Sequence, residues 1–362
     1  MQHIETVPVH TSGLYDDSYD YGNTLSINKN KYRFYKKRRW NKLRALSNFF
    51  ESQYSNPADD NTVGDRRTPI PSIPTIPKSP PINTDQLSIF TTDQPTPIDN
   101  QTITLVTALL DIGRGQWDQY GRPLSMYLQF MDNVMKLKVP MLIYVDPDNA
   151  AHVLKARSGM RHLTKIQNMS FIQLPYVRER ERVMRIIETE QKNWDALWDP
   201  AMRTHPEASR ADYDLLMCSK PYLLALAANA NPFGTQYFAW IDAGYGHGHP
   251  GYFPSDWAWR PQFLANKLAF IQRQGYVFDE TMTIDKLYRK DTAPVSGGFL
   301  AGDKSAILTF HGQFHSLFMS LLDANKIDDD QTLLSLLMAK RPDMFAPKIG
   351  DFFDAFRLWP SP

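Results

Sequence analysis

The chain has 362 residues, of which 42% are hydrophobic and 22% charged, a globular balance that excludes a wholly disordered or fibrous protein. Lys and Arg number 40 against 39 Asp and Glu, which argues against a dedicated nucleic-acid binder, since those carry a basic excess. The lone cysteine, Cys218, excludes both an intrachain disulfide framework and a cysteine-based zinc site.

The even total hides an uneven spread. Residues 21–50 hold Lys29, Lys31, Arg33, Lys36, Lys37, Arg38, Arg39, Lys42 and Arg44 and no acid, interleaved with Tyr32, Phe34, Tyr35 and Trp40. Two readings stay open for residues 29–44: an arm that docks on an anionic surface or partner, or a solvated basic tail. Nine prolines between Pro57 and Pro97 then mark a polyproline-type spacer, which buries too little apolar surface to fold. The expectation is a disordered basic and proline-rich region over residues 1–100, and one folded domain over 101–362. No apolar run reaches the ~20 residues that cross a bilayer, and the first residues show neither a basic start nor an apolar stretch. The expected location is therefore the cytoplasm or the periphery of a membrane. The sequons at Asn100 and Asn168 matter only in a secretory lumen.

Ordered sequence begins at Thr102. TITLVTALL is a β-branched run that reads as a buried strand, followed at once by Asp111. Residues 123–137 set Leu124, Tyr127, Leu128, Met131, Val134 and Met135 on one helical face, and MLIYVD (141–146) is a second buried strand ending in Asp146. A helix over 149–163, a strand over 169–174, a long charged helix over 178–198, a helix over 219–230 and a strand over 237–242 follow. This alternation predicts an α/β domain with a mainly parallel central sheet. Ligands of such sheets bind beyond the carboxyl ends of strands, where Asp111, Asp146 and Asp242 fall.

Three later segments combine chemistry with punctuation. In FAWIDAGYGHGHPG (238–251) a buried strand delivers Asp242 to a glycine-rich loop carrying His247 and His249. A carboxylate in a crevice needs a partner such as a cation, and two histidines two apart are candidate metal ligands; a capping Asp in a tight turn beside surface histidines is the other reading. PVSGGFLAGD (294–303) either exposes bare backbone to a ligand or is a turn before a strand. In IDDDQTLLSLLM (327–338), Asp328, Asp329 and Asp330 precede an apolar-faced helix, either capping it or presenting a carboxylate base.

Taken together, TLVTALLDIGRGQW, SKPYLL, WIDAGYGHG, SGGFLAG and DDDQTLL resemble, in this order over about residues 102–345, the HtrL/YibB family of glycosyltransferase-like proteins with a GT-A fold. The resemblance implies a nucleotide-sugar donor and a glycan or other hydroxyl acceptor. It assigns Thr107, Asp111 and Arg114 to the loop that receives base and ribose, with Asp146 facing the same base. It places Lys220 on the diphosphate and Asp242 in the DxD motif that holds a divalent metal, manganese first. Ser296, Gly297, Gly298 and Phe299 match the acceptor-side loop, and Asp329 and Asp330 the acidic pair that supplies a base. Asp242-Ala243-Gly244 keeps one DxD acid, and no histidine follows His315; His247 or His249 is the substitute ligand this sequence offers. The leading expectation is a metal-assisted, hexosyltransferase-type enzyme, and the alternative is a non-catalytic GT-A-like module that binds a glycan or nucleotide. A metal-dependent hydrolase on Asp242, His247 and His249 is a third reading and lacks further ligands.

Overall fold

The structure, a computed structural model, describes residues 103–362. The basic arm at 29–44 and the proline-rich spacer lie outside the described residues.

Strands β1 (Ile103–Leu109), β2 (Met141–Val145), β3 (Thr164–Asn168), β4 (Tyr237–Ile241), β5 (Ala269–Gln272), β6 (Val295–Asp303) and β7 (Lys348–Ile349) form a seven-stranded sheet. Its order is β3-β2-β1-β4-β6-β5-β7. β1 pairs in parallel with β2 and β4, β2 with β3, and β5 with β7, while β6 runs antiparallel to β4 and β5. The chain is thus α/β with a mainly parallel sheet, as its alternating pattern predicts.

The helices longer than one turn are α1 (Leu124–Met135), α2 (Ala150–Ala156), α3 (Arg180–Lys192), α4 (Ala211–Cys218), α5 (Lys220–Ala230), α6 (Lys304–Asp323) and α7 (Asp330–Lys340). One face of the sheet packs Val106, Leu142, Phe238, Trp240 and Leu300 under α3 to α7. The other packs Leu105, Ile143, Ala239 and Phe299 against α1, α2 and the C-terminal Phe356 and Trp359. Covered on both faces, β1, β2 and β4 read as continuous apolar runs; each fully buried Leu, Ile or Phe contributes about 1.5–3 kcal/mol.

Four expectations need correction. The third strand is 164–168, and the apolar stretch after it is a 3₁₀ turn at Phe171–Gln173, with Ser170 and Gln173 forming its capping box. β3 is an edge strand with only Gln167 buried, so it carries polar residues where a central strand would not. The helix expected over 149–163 stops at Ala156, because Arg157 turns inward. Its five N–H groups reach Thr164 Oγ1 and the carbonyls of Met135, Leu137, Val139 and Leu163 at 2.6–3.2 Å, tying the turn that feeds β2. The helix expected over 178–198 ends at Lys192, before Trp194 and Trp198 pack edge to face. Finally, 295–303 is neither loop nor turn but the antiparallel strand β6.

Chain direction across the sheet fixes where a crevice opens. β1, β2 and β3 step one way, and β4 then lies on the other side of β1. At that reversal the connections leave on opposite faces of the sheet and part beyond the carboxyl ends of β1 and β4. Because β6 is reversed, its amino-terminal half borders the same edge, with Phe299 opposite Ile241.

Candidate functional site

Lys220 begins α5, and its side chain is 4% exposed. Its ammonium lies 3.1 Å from Asp242 Oδ1, 3.0 Å from Asp330 Oδ2 and 3.1 Å from the Gly297 carbonyl oxygen. Three elements distant in sequence therefore converge on one cation: α5, the end of β4 and the start of α7, with β6 supplying the carbonyl. Burial alone would pull the Lys220 pKa down, but Asp242 and Asp330 outweigh it and hold it above the ordinary lysine value. Burial likewise pushes the Asp330 carboxyl up, Lys220 pulls it back, and the balance leaves it at about 6. Asp242 is the open member, 36% exposed, and the Trp240 indole N–H donates to its Oδ1 at 2.6 Å.

Gly297 makes this approach possible. A Cβ there would stand 2.7 Å from Asp330 Oδ2 and 3.0 Å from Gln331 Cγ, closer than packed atoms tolerate. A Cβ on Gly298 would meet Tyr245 and Asp242 at 3.5–3.6 Å, an ordinary contact. Ser296 is buried and donates to the Phe352 carbonyl, so it pins β6 to the C-terminal segment. Phe299 points into the core, with its ring centroid 4.9 Å from that of Trp359. Of the four residues expected on the acceptor side, the two glycines therefore border the site, while Ser296 and Phe299 hold the strand.

The acidic run divides its roles. Asp329 is the N-cap of α7, accepting the amides of Gln331 and Thr332 and the side-chain amide of Gln331. Asp330 alone meets Lys220. Asp328 faces inward, 3.9 Å from the buried Arg289, which also pairs with Glu190 at 2.7 Å. Asp214, on α4, is fully buried, and among the described residues neither of its carboxylate oxygens has a hydrogen-bond partner. Burial raises the carboxyls of Asp214 and Asp329 well above the usual range; it also raises Asp328, to about 7 after Arg289 pulls it back.

The loops beyond β1 and β2 are laced to each other. The Asp111 amide donates to Asp146 Oδ2 and the Gly113 amide to Asp111 Oδ1, both at 2.7 Å. Thr107 does not reach the loop assigned to it: it lies within β1, fully buried, opposite Ile143. Arg114 stands on a 3₁₀ turn among Trp117, Tyr127 and Tyr213. The Tyr127 ring in turn packs on Gly244, where a Cβ would stand 3.3 Å from it.

A metal on Asp242, His247 and His249 does not fit this arrangement. Among the described residues no three His, Cys, Asp or Glu side chains form a metal-holding group. The His247 ring lies near Phe130 and Phe353, at 5.8 and 5.0 Å, and His249 neighbours Tyr252. Where a cation would join Asp242 to a second acid, the Lys220 ammonium already stands. The sequence pointed to Lys220, Asp242 and Asp330 singly; Trp240 read as core strand and Tyr127 as one member of an apolar helical face, and Asp214 carried no local signal.

Residues 101–361 match the model of a family described as bacterial protein of unknown function (HtrL_YibB). The chain is 27% identical over 278 residues to Protein HtrL of Escherichia coli strain K12, covering 71% of this chain and 92% of that protein. Among solved structures, mouse xyloside xylosyltransferase 1 in its apo form gives a TM-score of 0.34 at 9% identity, covering 68% of this chain and 84% of that one. The 4-diphosphocytidyl-2C-methyl-D-erythritol synthase of Anaerococcus prevotii gives 0.31 at 10% identity, covering 71% and 90%. Among the described residues no helix is long and apolar enough to cross a membrane.

Proposed function

The chain belongs to the HtrL_YibB family, and on that premise we propose that it is a glycosyltransferase, passing a sugar from a nucleotide-sugar donor to a hydroxyl acceptor. The observation that carries this reading is the convergence of Asp242, Asp330 and Gly297 on Lys220, at the edge of the sheet where open α/β folds bind their ligands.

In this reading the nucleotide lies over the loops of Asp111, Arg114 and Asp146, and the sugar over β4 and β6. Asp242, the exposed acid, accepts hydrogen bonds from sugar hydroxyls. Asp330, with a pKa of about 6, is ionised at neutral pH and still basic enough to take a proton. The acceptor oxygen attacks the anomeric carbon as the bond from that carbon to the diphosphate breaks. The bonding pair leaves with the diphosphate, and the hydroxyl proton passes to Asp330. Lys220 keeps the two acids from repelling each other and holds Asp330 in its ionised form.

The near-complete burial of Asp330 favours a second reading, a module that binds a nucleotide or glycan without turnover. One experiment separates them: calorimetry of the full chain with a panel of nucleotide sugars, in EDTA and in Mn²⁺, followed by assay for released nucleoside diphosphate with sugar acceptors. Release supports the enzyme, and binding without release supports the module. If no nucleotide sugar binds in either buffer, the enzyme reading falls, and the module reading falls with it if the sugar acceptors do not bind either.

A further inference from the structure

Two guanidinium groups share one indole. Arg114 Cζ lies 5.4 Å and Arg210 Cζ 5.3 Å from the ring centroid of Trp117. Arg114 is held there by its Nε donating to the Tyr120 carbonyl at 2.9 Å and its Nη1 donating to Tyr127 Oη at 2.7 Å. Those bonds occupy two of the five N–H donors an arginine carries. Among the described residues no carboxylate lies within salt-bridge distance of Arg114 or Arg210, whereas Arg180, Arg289, Arg341 and Arg357 each pair with an acid.

Their position adds to this. Arg114 sits on the loop beyond the carboxyl end of β1, and its partner Tyr127 packs on Gly244, two residues past Asp242. Arg210 immediately precedes α4, which runs directly into Lys220. Arg114, Trp117 and Arg210 are all partly exposed. Tyr213, whose ring centroid lies 5.8 Å from Arg114 Cζ, also senses the charges of Asp329 and Asp330, and this places the pair beside the acids of the Lys220 cluster. Two like charges packed on one ring repel each other, and a phosphate bound beside them offsets that repulsion. Guanidinium groups braced on aromatic rings keep N–H edges free for bidentate phosphate binding.

We propose that Arg210, acting with Arg114 around Trp117, is the phosphate-binding site of this crevice, and that its ligand is the diphosphate of the donor. This rests on the glycosyltransferase reading and assigns the leaving-group charge to arginine side chains outside the Lys220 cluster. Arg210 lies outside every segment whose sequence suggested a site.

The test is calorimetry on the full chain with three probes: inorganic diphosphate, uridine diphosphate and glucose 6-phosphate. Arg210→Ala and Arg210→Gln should each weaken both diphosphates by about tenfold or more, the scale of one lost charge-assisted hydrogen bond, with the melting temperature unchanged. Raising salt should weaken wild-type binding more steeply than that of the variants. Unchanged diphosphate binding in both variants, or none in the wild type, overturns the proposal. If uridine diphosphate binds the wild type and both variants equally well, the site is lost but the glycosyltransferase reading stands. If Arg210-dependent binding is seen with inorganic diphosphate and with no nucleotide, the site stands and that reading falls. An Arg210-dependent preference for glucose 6-phosphate over both diphosphates would assign the arginines to a phosphorylated acceptor and overturn the donor assignment.

Discussion

Lys220 and Asp330 meet at 3.0 Å with side chains only 4% and 6% exposed, so this ion pair lies almost wholly out of water. Removing one partner of such a pair leaves an uncompensated buried charge, which costs about 3–5 kcal/mol.

Lys220→Met should therefore lower the melting temperature sharply, and by more at pH 8 than at pH 5. Without the ammonium, burial and Asp242 push the Asp330 pKa up from about 6, and protonation at acid pH relieves the stranded charge. Melts of both proteins at the two pH values give the answer. An equal loss at each would show that Asp330 does not feel Lys220.

Adjacent glycines should behave differently. Gly297→Ala forces a methyl within 2.7 Å of Asp330 Oδ2, while Gly298→Ala meets only contacts of 3.5–3.6 Å. The first should cost about 1–3 kcal/mol, the range for overpacking, and the second should be close to neutral. Denaturant midpoints compare them, and equal midpoints would mean that Gly297 is not tightly opposed by Asp330.

The buried acids set an unusual pH dependence. Burial pushes Asp328 and Asp330 up to about 7 and 6, and it also raises Asp214 and Asp329 well above the usual carboxylate range. Their folded pKa values exceed the unfolded value near 4, so the folded state binds more protons and stability declines as pH rises. The contribution of Asp328 and Asp330 is complete below about pH 4 and is lost as pH climbs through about 6 and 7. Asp214→Asn removes one such group without taking away a hydrogen bond, since its oxygens make none among the described residues. The variant should melt higher than wild type at pH 8 and nearly level with it at pH 5. A higher melting temperature at pH 5 alone would contradict the assignment.

What the sequence disclosed follows burial. β1, β2 and β4 were legible because strands covered on both faces must be apolar throughout, and their ends gave Asp111, Asp146 and Asp242. β3 carries no such signal because an edge strand such as TKIQN needs no apolar run, whereas the apolar MSFIQL beyond it mimics a strand. The glycines of β6 looked like a loop because they carry no side chains to show a strand, although its Phe299 packs in the core. Lys220, Asp242 and Asp330 were each visible beside a local signal, a helix start or a strand end. Their joint attachment was not, because Lys220 and Asp330 are 110 positions apart and only the packing of α5, α7 and β6 joins them. Arg210 lies between two short helices and had no signal at all.

The two acids of the DDQ segment make the sharpest comparison. Asp329 spends its carboxylate on the amides that open α7, whereas Asp330 points to Lys220 and the crevice. Asp329→Ala should cost about 1 kcal/mol through the lost cap and leave turnover of a donor sugar within a few-fold of wild type. Asp330→Asn keeps the shape of the side chain and a hydrogen-bonding oxygen for Lys220 but cannot take a proton. Turnover should fall by about 10²–10⁴-fold, the scale of a lost general base, while nucleotide binding by calorimetry persists. The surviving activity of wild type should also drop below about pH 6 as Asp330 is protonated. If Asp329→Ala abolishes turnover in a folded protein while Asp330→Asn retains it, the roles are reversed and the base is the capping acid. If both variants turn over donor at the wild-type rate, neither acid is the base, and the Lys220 cluster serves only to bind.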